Sequence, residues 1–130
     1  MKFEMHRDQE VAGNELVVLH ICGELDIDCA PALQEAVRPL LDQGCLHLLL
    51  EIDGLRHLDS FSLGTFLGLR QRLRASNGSM SLVCHVPTVR RLFHITNLER
   101  VFEFYDSVAA FVTAKGGHFN GPAAEGTGAS

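Results

Sequence analysis

The chain of 130 residues is predicted to fold as a single α/β domain built around one mostly parallel β-sheet. Short apolar runs, which are typical of buried strands, alternate with segments whose apolar residues recur every three to four positions, as in helices. The resulting order is β-β-α-β-α-β-α-β-α, and strands that alternate with helices form parallel sheets joined by right-handed crossovers. We therefore expect a mixed, mostly parallel sheet of about five strands with about four α-helices.

The strands are recognised by their apolar content. The first alternates Phe3 and Met5 with polar residues, which indicates an edge strand, and a turn is expected over 8–14. The second reads ELVVLHIC over 15–22 and should end at the polar segment 23–26. The remaining strands are expected at 45–52, 79–86 and 101–104.

The helices are predicted from apolar stripes and capping residues. The first carries five apolar residues on one face: Leu33, Ala36, Val37, Leu40 and Leu41. Asp28 or Cys29 should precede this helix. A second helix is expected at 61–75 and a third at 87–97, and Asp106 should cap a fourth.

A change in composition divides the chain. The segment 116–130 holds five glycines, one proline and mostly small or polar residues, so it has little to bury. We expect a domain over 1–115 and a disordered glycine-rich tail over 116–130.

Composition also excludes several classes of function. The net charge is −5 and the basic residues form no run, which argues against nucleic acid as a partner. No segment approaches the roughly 20 apolar residues of a membrane span, and the N-terminus lacks the apolar core of a signal peptide. Four cysteines without a CxxC pair are typical of reduced thiols, so we expect a cytoplasmic location. Without a P-loop or GxGxxG motif, no cofactor is expected.

Two pairs of residues could supply zinc ligands. His20 and Cys22 share one strand face, and Cys45 and His47 share another. Neighbouring strands could bring the two pairs together. Such i, i+2 pairs on apolar strands are more often core residues, so we expect no metal site.

The junction Asp59-Ser60 separates an apolar strand from the second helix. Unpaired N–H groups and the positive end of the helix dipole make this position favourable for an anion, including a phosphate on the serine. A structural interpretation stands beside this one, in which Ser60 or Asp59 is simply the N-cap of the helix.

Three sequence patches carry a family resemblance. They read GELD at 23–26, LRHLDS at 55–60 with LG at 63–64, and VRRLF at 89–93 followed by TNL at 96–98 and VF at 101–102. In this order and spacing the chain resembles the STAS-domain anti-sigma factor antagonists of bacteria, also called anti-anti-sigma factors, over 15–114. The resemblance implies the STAS fold and a regulatory protein that is not an enzyme.

The resemblance also implies a partner and a switch. The partner would be an anti-sigma factor that is a GHKL-type serine kinase, and binding it would release a sigma factor. Asp59 matches the motif aspartate and Ser60 the phosphorylated serine, and a phosphatase would reverse the modification. The protein would be a monomer or a weak homodimer. The implied partner surface comprises Gly23, Glu24, Asp26, Asp59, Ser60, Phe61, Ser62, Leu63 and Gly64.

The motif departs from the family pattern after the phosphorylated serine. Phe61 occupies a position that is usually Ser or Thr, and Ser62 replaces a glycine. Ser62 is therefore an alternative phosphorylation site.

The sequence is also compatible with two other functions: a STAS scaffold or sensor module of a stressosome-like assembly, and a small serine or cysteine hydrolase. The chain lacks the Gly-x-Ser-x-Gly elbow that many serine hydrolases carry.

Overall fold

The computed structural model describes residues 2–45 and 47–117. In this part of the chain, five strands, four α-helices and one 3₁₀ turn follow one another in the predicted order. Their bounds are β1 Lys2–Val11, β2 Asn14–Leu25, α1 Ala30–Asp42, β3 His47–Leu58, α2 Ser60–Ala75, β4 Ser79–Val83, α3 Pro87–Ile95, the 3₁₀ turn Leu98–Arg100, β5 Glu103–Phe104 and α4 Val108–Ala114.

The strands form one sheet in the order β1-β2-β3-β4-β5. The edge strand β1 is antiparallel to β2, and the other neighbours are parallel. This confirms the predicted mixed, mostly parallel sheet with the first strand at its edge.

Helices cover both faces of the sheet, and the core has two parts. The larger part contains residues of α1, α2 and α3 with one face of the sheet, including Leu33, Phe66 and Phe93. The smaller part lies on the other face, where Phe111 and Val112 of α4 pack against residues of β2, β3 and β4. Strands that are buried on both faces lose the alternation of apolar and polar residues, which explains the continuous apolar run of β2.

Several strands have bounds that differ from the prediction. The turn expected over 8–14 is only Ala12-Gly13, because β1 continues to Val11 past an irregularity between His6 and Gln9. The strand expected to stop at 22 continues to Leu25, and β3 extends to Leu58 instead of 52. Two register shifts let β2 and β3 keep pairing through these polar residues.

The strands later in the chain are shorter than predicted. β4 ends at Val83 and not at 86, and β5 spans only Glu103–Phe104.

The fourth helix is capped by Ser107, whose hydroxyl accepts the N–H of Ala110 at 2.9 Å, so the assignment of Asp106 as the cap is wrong. Asp106 lies one residue too early to reach that N–H.

Only the first two residues of the predicted tail belong to the described chain. The N–H of Gly117 donates to the carbonyl of Val112 at 2.9 Å. A Cβ at Gly117 would collide with the carbonyl oxygen of Glu10, so the chain passes close to the β1–β2 turn. The rest of the predicted tail, 118–130, lies outside the described residues. Within residues 2–45 and 47–117, no helix has the length and apolar character of a membrane span.

Candidate functional site

The ends of two neighbouring parallel strands bring the predicted site segments together. Glu24 pairs with His57 and Leu25 with Leu58. The N–H of Asp59 then donates to the carbonyl of Leu25 at 3.3 Å. The loop after β2 and the junction before α2 therefore lie side by side, although more than 30 residues separate them in the sequence.

The carboxylate of Asp59 connects these two segments. One oxygen, Oδ1, accepts the N–H of Ser62 at 2.9 Å, which makes Asp59 the N-cap of α2. The other, Oδ2, accepts the N–H of Ile27 at 3.0 Å. Burial raises the pKa of Asp59, but the N–H donors at Ser62 and Ile27 outweigh that effect and hold the pKa below its usual value. The group is therefore a carboxylate at neutral pH, and it is Asp59 and not Ser60 that caps the helix.

Asp26 closes the turn that leads into α1. Its side chain accepts the N–H groups of Asp28 and Cys29 at 3.0 and 3.1 Å. Its carbonyl accepts from Cys29 and Ala30 at 3.0 and 2.9 Å. Asp26 is half-buried, so its main effect is to fix the backbone of the loop that carries Ile27.

The first turn of α2 divides the predicted site residues between surface and interior. Ser60 is the first helical residue and is exposed, and Phe61 is 54% exposed. Ser62 is fully buried, and its hydroxyl, although close enough to the Asp59 carboxylate to lower the pKa of that group, makes no hydrogen bond of ordinary geometry among the described residues. Leu63 is also buried, whereas Gly64 is exposed. The side chains of Ser62 and Leu63 therefore pack inside the domain.

The loop after β2 contributes both polar and apolar surface. Glu24 is exposed, and Gly23 is half-buried with a φ of 101°, a backbone conformation that glycine adopts without a steric penalty. Sequence reasoning missed Ile27, which is 55% exposed next to Asp59. The available signal was an isolated apolar residue between Asp26 and Asp28 in a predicted turn.

Acidic groups outnumber basic ones at this surface, where Arg56 and His57 are also exposed. Glu24 and Asp28 are exposed, and the carboxylates of Asp26 and Asp59 are half-buried. His57 is the nearby group whose charge lowers the pKa of Asp59. A further negative charge on Ser60 would enter surroundings that already carry several carboxylates.

The possible zinc ligands are separated by the register of the sheet. His20 lies opposite Glu51 and His47 opposite Leu16, four residue positions apart along the strands. His20 Nδ1 contacts Glu51 Oε1 at 2.9 Å, and His47 Nδ1 contacts the hydroxyl of Ser79 at 2.9 Å. Within the described ranges, no group of three metal-ligating side chains comes together. Burial also lowers the pKa of His47, so this histidine is neutral at pH 7.

A serine hydrolase pairs its nucleophilic serine with a histidine. In this structure a serine–histidine contact joins Ser79 to His47 and not Ser60 to a histidine. Ser79 begins β4 and His47 begins β3, whereas Ser60 follows the end of β3. The pair therefore lies at the opposite end of the sheet from the junction Asp59-Ser60. Among residues 2–45 and 47–117, no hydrogen bond joins the hydroxyl of Ser60 to a histidine.

Known proteins resemble this chain in sequence. The STAS domain family matches residues 3–111, which is most of the chain. The anti-sigma-B factor antagonist of Bacillus subtilis is 32% identical over 100 residues, which cover 76% of this chain and 91% of that protein.

Solved structures share the fold. The unphosphorylated anti-sigma factor antagonist SpoIIAA superposes with a TM-score of 0.70 at 24% identity, covering 87% of this chain and 96% of its own. The phosphorylated form of SpoIIAA, described as a Bacillus cell fate determinant, gives a TM-score of 0.64 at 24% identity and covers 87% of this chain and 99% of its own. The two structures show that the fold is shared, and the family match and the sequence relative place the chain in the STAS-domain family of anti-sigma factor antagonists.

Proposed function

We propose that this protein binds an anti-sigma factor that is also a GHKL-type serine kinase, and that phosphorylation of Ser60 ends the complex. The observation that carries the proposal is the exposed hydroxyl of Ser60 at the first position of α2, beside Asp59. While the partner is bound to this protein, its sigma factor is free. A phosphatase that removes the phosphate restores binding.

The choice of Ser60 over Ser62 rests on access. A kinase must bring the γ-phosphate of ATP within bonding distance of the acceptor oxygen, so the hydroxyl has to reach solvent. Ser60 is exposed, whereas Ser62 is fully buried in the first turn of α2. Phosphorylating Ser62 would require that turn to open.

Electrostatics explain how the phosphate would end binding. It adds roughly −1.5 to −2 charge at neutral pH. On an interface this charge meets Asp59, Asp26 and the exposed Glu24, and it must also lose water when the partner docks. A penalty of about 3 kcal/mol weakens binding more than 100-fold.

The same position tolerates phosphate in the free domain. Ser60 begins a helix of 16 residues, and the N-terminal end of a helix attracts anions. Phosphorylation can therefore change the surface while the fold persists.

We further propose that the protein acts by binding and not by catalysis. Its location would be the cytoplasm, where the four cysteines stay as free thiols.

The test is phosphorylation and binding with each GHKL-type serine kinase of the same genome. Incubation with kinase and ATP, followed by mass spectrometry, should place one phosphate on Ser60. Ser60→Ala should bind the kinase and take up no phosphate, and Ser60→Asp should bind at least tenfold more weakly. Ser62→Ala, the matched control, should be phosphorylated like the wild type.

Two outcomes would contradict the proposal. Phosphate on Ser62 with Ser60→Ala still labelled would overturn the choice of residue. Recovery of only other STAS proteins in a pull-down, with no kinase bound, would favour a scaffold in a stressosome-like assembly.

A further inference from the structure

Two exposed apolar residues from different parts of the chain lie close to Ser60: Phe61 follows it directly, and the N–H of Ile27 is bonded to Asp59. In the described residues, four large apolar side chains are exposed: Met5, Ile27, Phe61 and Ile95. Ile27 is 55% exposed in the loop after β2, and Phe61 is 54% exposed in the first turn of α2. Single exposed apolar residues are common, but two at one site mark an interaction surface more strongly.

A single carboxylate fixes both residues in place. Asp59 Oδ2 accepts the N–H of Ile27 itself, at 3.0 Å. Asp59 Oδ1 accepts the N–H of Ser62, the residue after Phe61, at 2.9 Å. The backbone of each apolar residue is therefore positioned before any partner arrives, which reduces the entropy lost on binding.

The surroundings of the two residues carry more acidic than basic groups. Glu24 and Asp28 are exposed on the loop that carries Ile27, and Asp26 and Asp59 are half-buried, whereas the exposed basic residues at the end of β3 are Arg56 and His57. An apolar centre with a charged rim is the usual arrangement of a protein interface, and aromatic side chains often dominate its binding energy. The complementary surface is an apolar pocket rimmed by lysine or arginine side chains.

We propose that Ile27 and Phe61 are paired apolar anchors for the anti-sigma factor, and that Asp59 is the positioning residue that holds them close to Ser60. This inference rests on the proposed function. It makes Phe61, which stands where the family usually has Ser or Thr, a determinant of which anti-sigma factor this protein binds.

The anchors also explain why a phosphate on Ser60 would be so disruptive. Burying Ile27 and Phe61 against a partner removes water from the space around Ser60. A phosphate on Ser60 would have to lose its water together with them, and an unpaired buried charge is strongly unfavourable. The apolar contacts of Ile27 and Phe61 and the phosphate on Ser60 therefore affect binding through the same area, which loses its water when the partner docks.

The first test measures affinity for the kinase that phosphorylates Ser60, in the presence of a non-hydrolysable ATP analogue. Phe61→Ser and Ile27→Ser should each weaken binding at least tenfold. Ile95→Ser is the matched control, since Ile95 is 65% exposed at the end of α3, and it should bind within twofold of the wild type. All three variants should melt close to the wild type because the side chains are exposed.

The second test addresses the positioning role of Asp59. Asparagine is as good an N-cap as aspartate, but the N–H groups of Ser62 and Ile27 meet different oxygens of Asp59, and asparagine has an NH₂ group in place of one of them. Asp59→Asn should therefore keep the helix and its melting temperature while the amide of Ile27 exchanges hydrogen faster. Binding should weaken in the wild-type background and much less in the Ile27→Ser background, as a double-mutant cycle detects.

The outcomes separate this inference from the proposed function. Suppose that Ser60→Asp weakens binding but Phe61→Ser and Ile27→Ser stay within twofold of the wild type. The anchor role of Ile27 and Phe61 is then wrong, whereas regulation by phosphorylation of Ser60 is still supported. Equal losses for Asp59→Asn in both backgrounds would overturn the positioning role. If the wild type binds none of the kinases, both proposals fail.

Discussion

Ser60 and Ser62 lie in the same helical turn, yet their hydroxyl groups meet opposite environments. Ser60 faces solvent, whereas Ser62 is buried and, within the described part of the chain, its hydroxyl makes no hydrogen bond of ordinary geometry. A buried hydroxyl that forms no hydrogen bond costs about 1–3 kcal/mol relative to water. The side chain of Ser62 is therefore a source of instability at the start of α2, whereas its backbone N–H is satisfied by Asp59.

Replacement of Ser62 by alanine should stabilise the protein. Ser62→Ala removes the unpaired oxygen and leaves the N–H bond to Asp59, so the free energy of unfolding should rise by about 1 kcal/mol. Urea denaturation followed by circular dichroism measures the change. Ser60→Ala is the control and should stay within about 0.5 kcal/mol, as for other exposed positions. A loss of stability in Ser62→Ala would mean that the hydroxyl is hydrogen-bonded after all.

At the scale of elements, a pair of side chains ties β3 to the chain after β4. Asp53 accepts the backbone N–H of His85 through Oδ1, and its Oδ2 lies 2.9 Å from His85 Nδ1. The hydrogen bond to Asp53, with the charges of Asp53, Asp106 and Glu51, raises the pKa of His85 above its ordinary value of 6.5, although burial opposes it. Protonated His85 therefore favours the folded state.

The stability supplied by this pair should depend on pH. A folded pKa above the unfolded value gives a contribution that is complete below about pH 6.5 and is lost as the pH rises through the folded pKa. Because both side chains are exposed, the effect should be only a few tenths of a kcal/mol. His85→Gln should therefore cost more stability at pH 6 than at pH 8.5, in thermal melts compared with the wild type. An equal cost at both values would contradict the pairing.

At the scale of the whole molecule, α2, which begins at Ser60, and α4 pack on opposite faces of one sheet. α1, α2 and α3 share one part of the core, and α4 packs on the other through Phe111 and Val112. The ring of Phe111 is fully buried and meets Tyr105 edge to face, with 5.0 Å between ring centroids. Stability and partner binding can therefore be changed separately in this fold.

Phe111→Ala should destabilise the protein without altering its affinity. Removing a buried phenyl ring costs about 3–5 kcal/mol, through lost burial and the cavity left behind. Affinity for the proposed partner kinase, measured well below the lowered melting temperature, should match the wild type because the ring lies across the sheet from α2, which Ser60 begins. A parallel loss of affinity would show that α4 supports the binding surface.

The sequence predicted the order of the helices and strands, but not which residues around Asp59-Ser60 are exposed. Apolar periodicity is a property of the local chain, so the helices and the sheet were predictable. The continuation of β2 through Gly23 and Glu24 was not, because pairing with β3 overrides the turn preference of those residues. The burial of Ser62 and the exposure of Ile27 depend on how α2 meets the loop after β2, which no local pattern encodes.

The course of the chain at Gly117 has a practical consequence for labelling. Gly117 lies against Glu10 at the β1–β2 turn, whereas Ser60 lies beyond the other end of β2. At about 3.3 Å per residue, the length of β2 separates them by roughly 35 Å. Because a Cβ at residue 117 would collide with Glu10, a fluorophore is better attached at Asn14, which is exposed at the same end of β2. There it would report on tumbling and complex size away from the proposed docking surface in anisotropy measurements with the proposed partner.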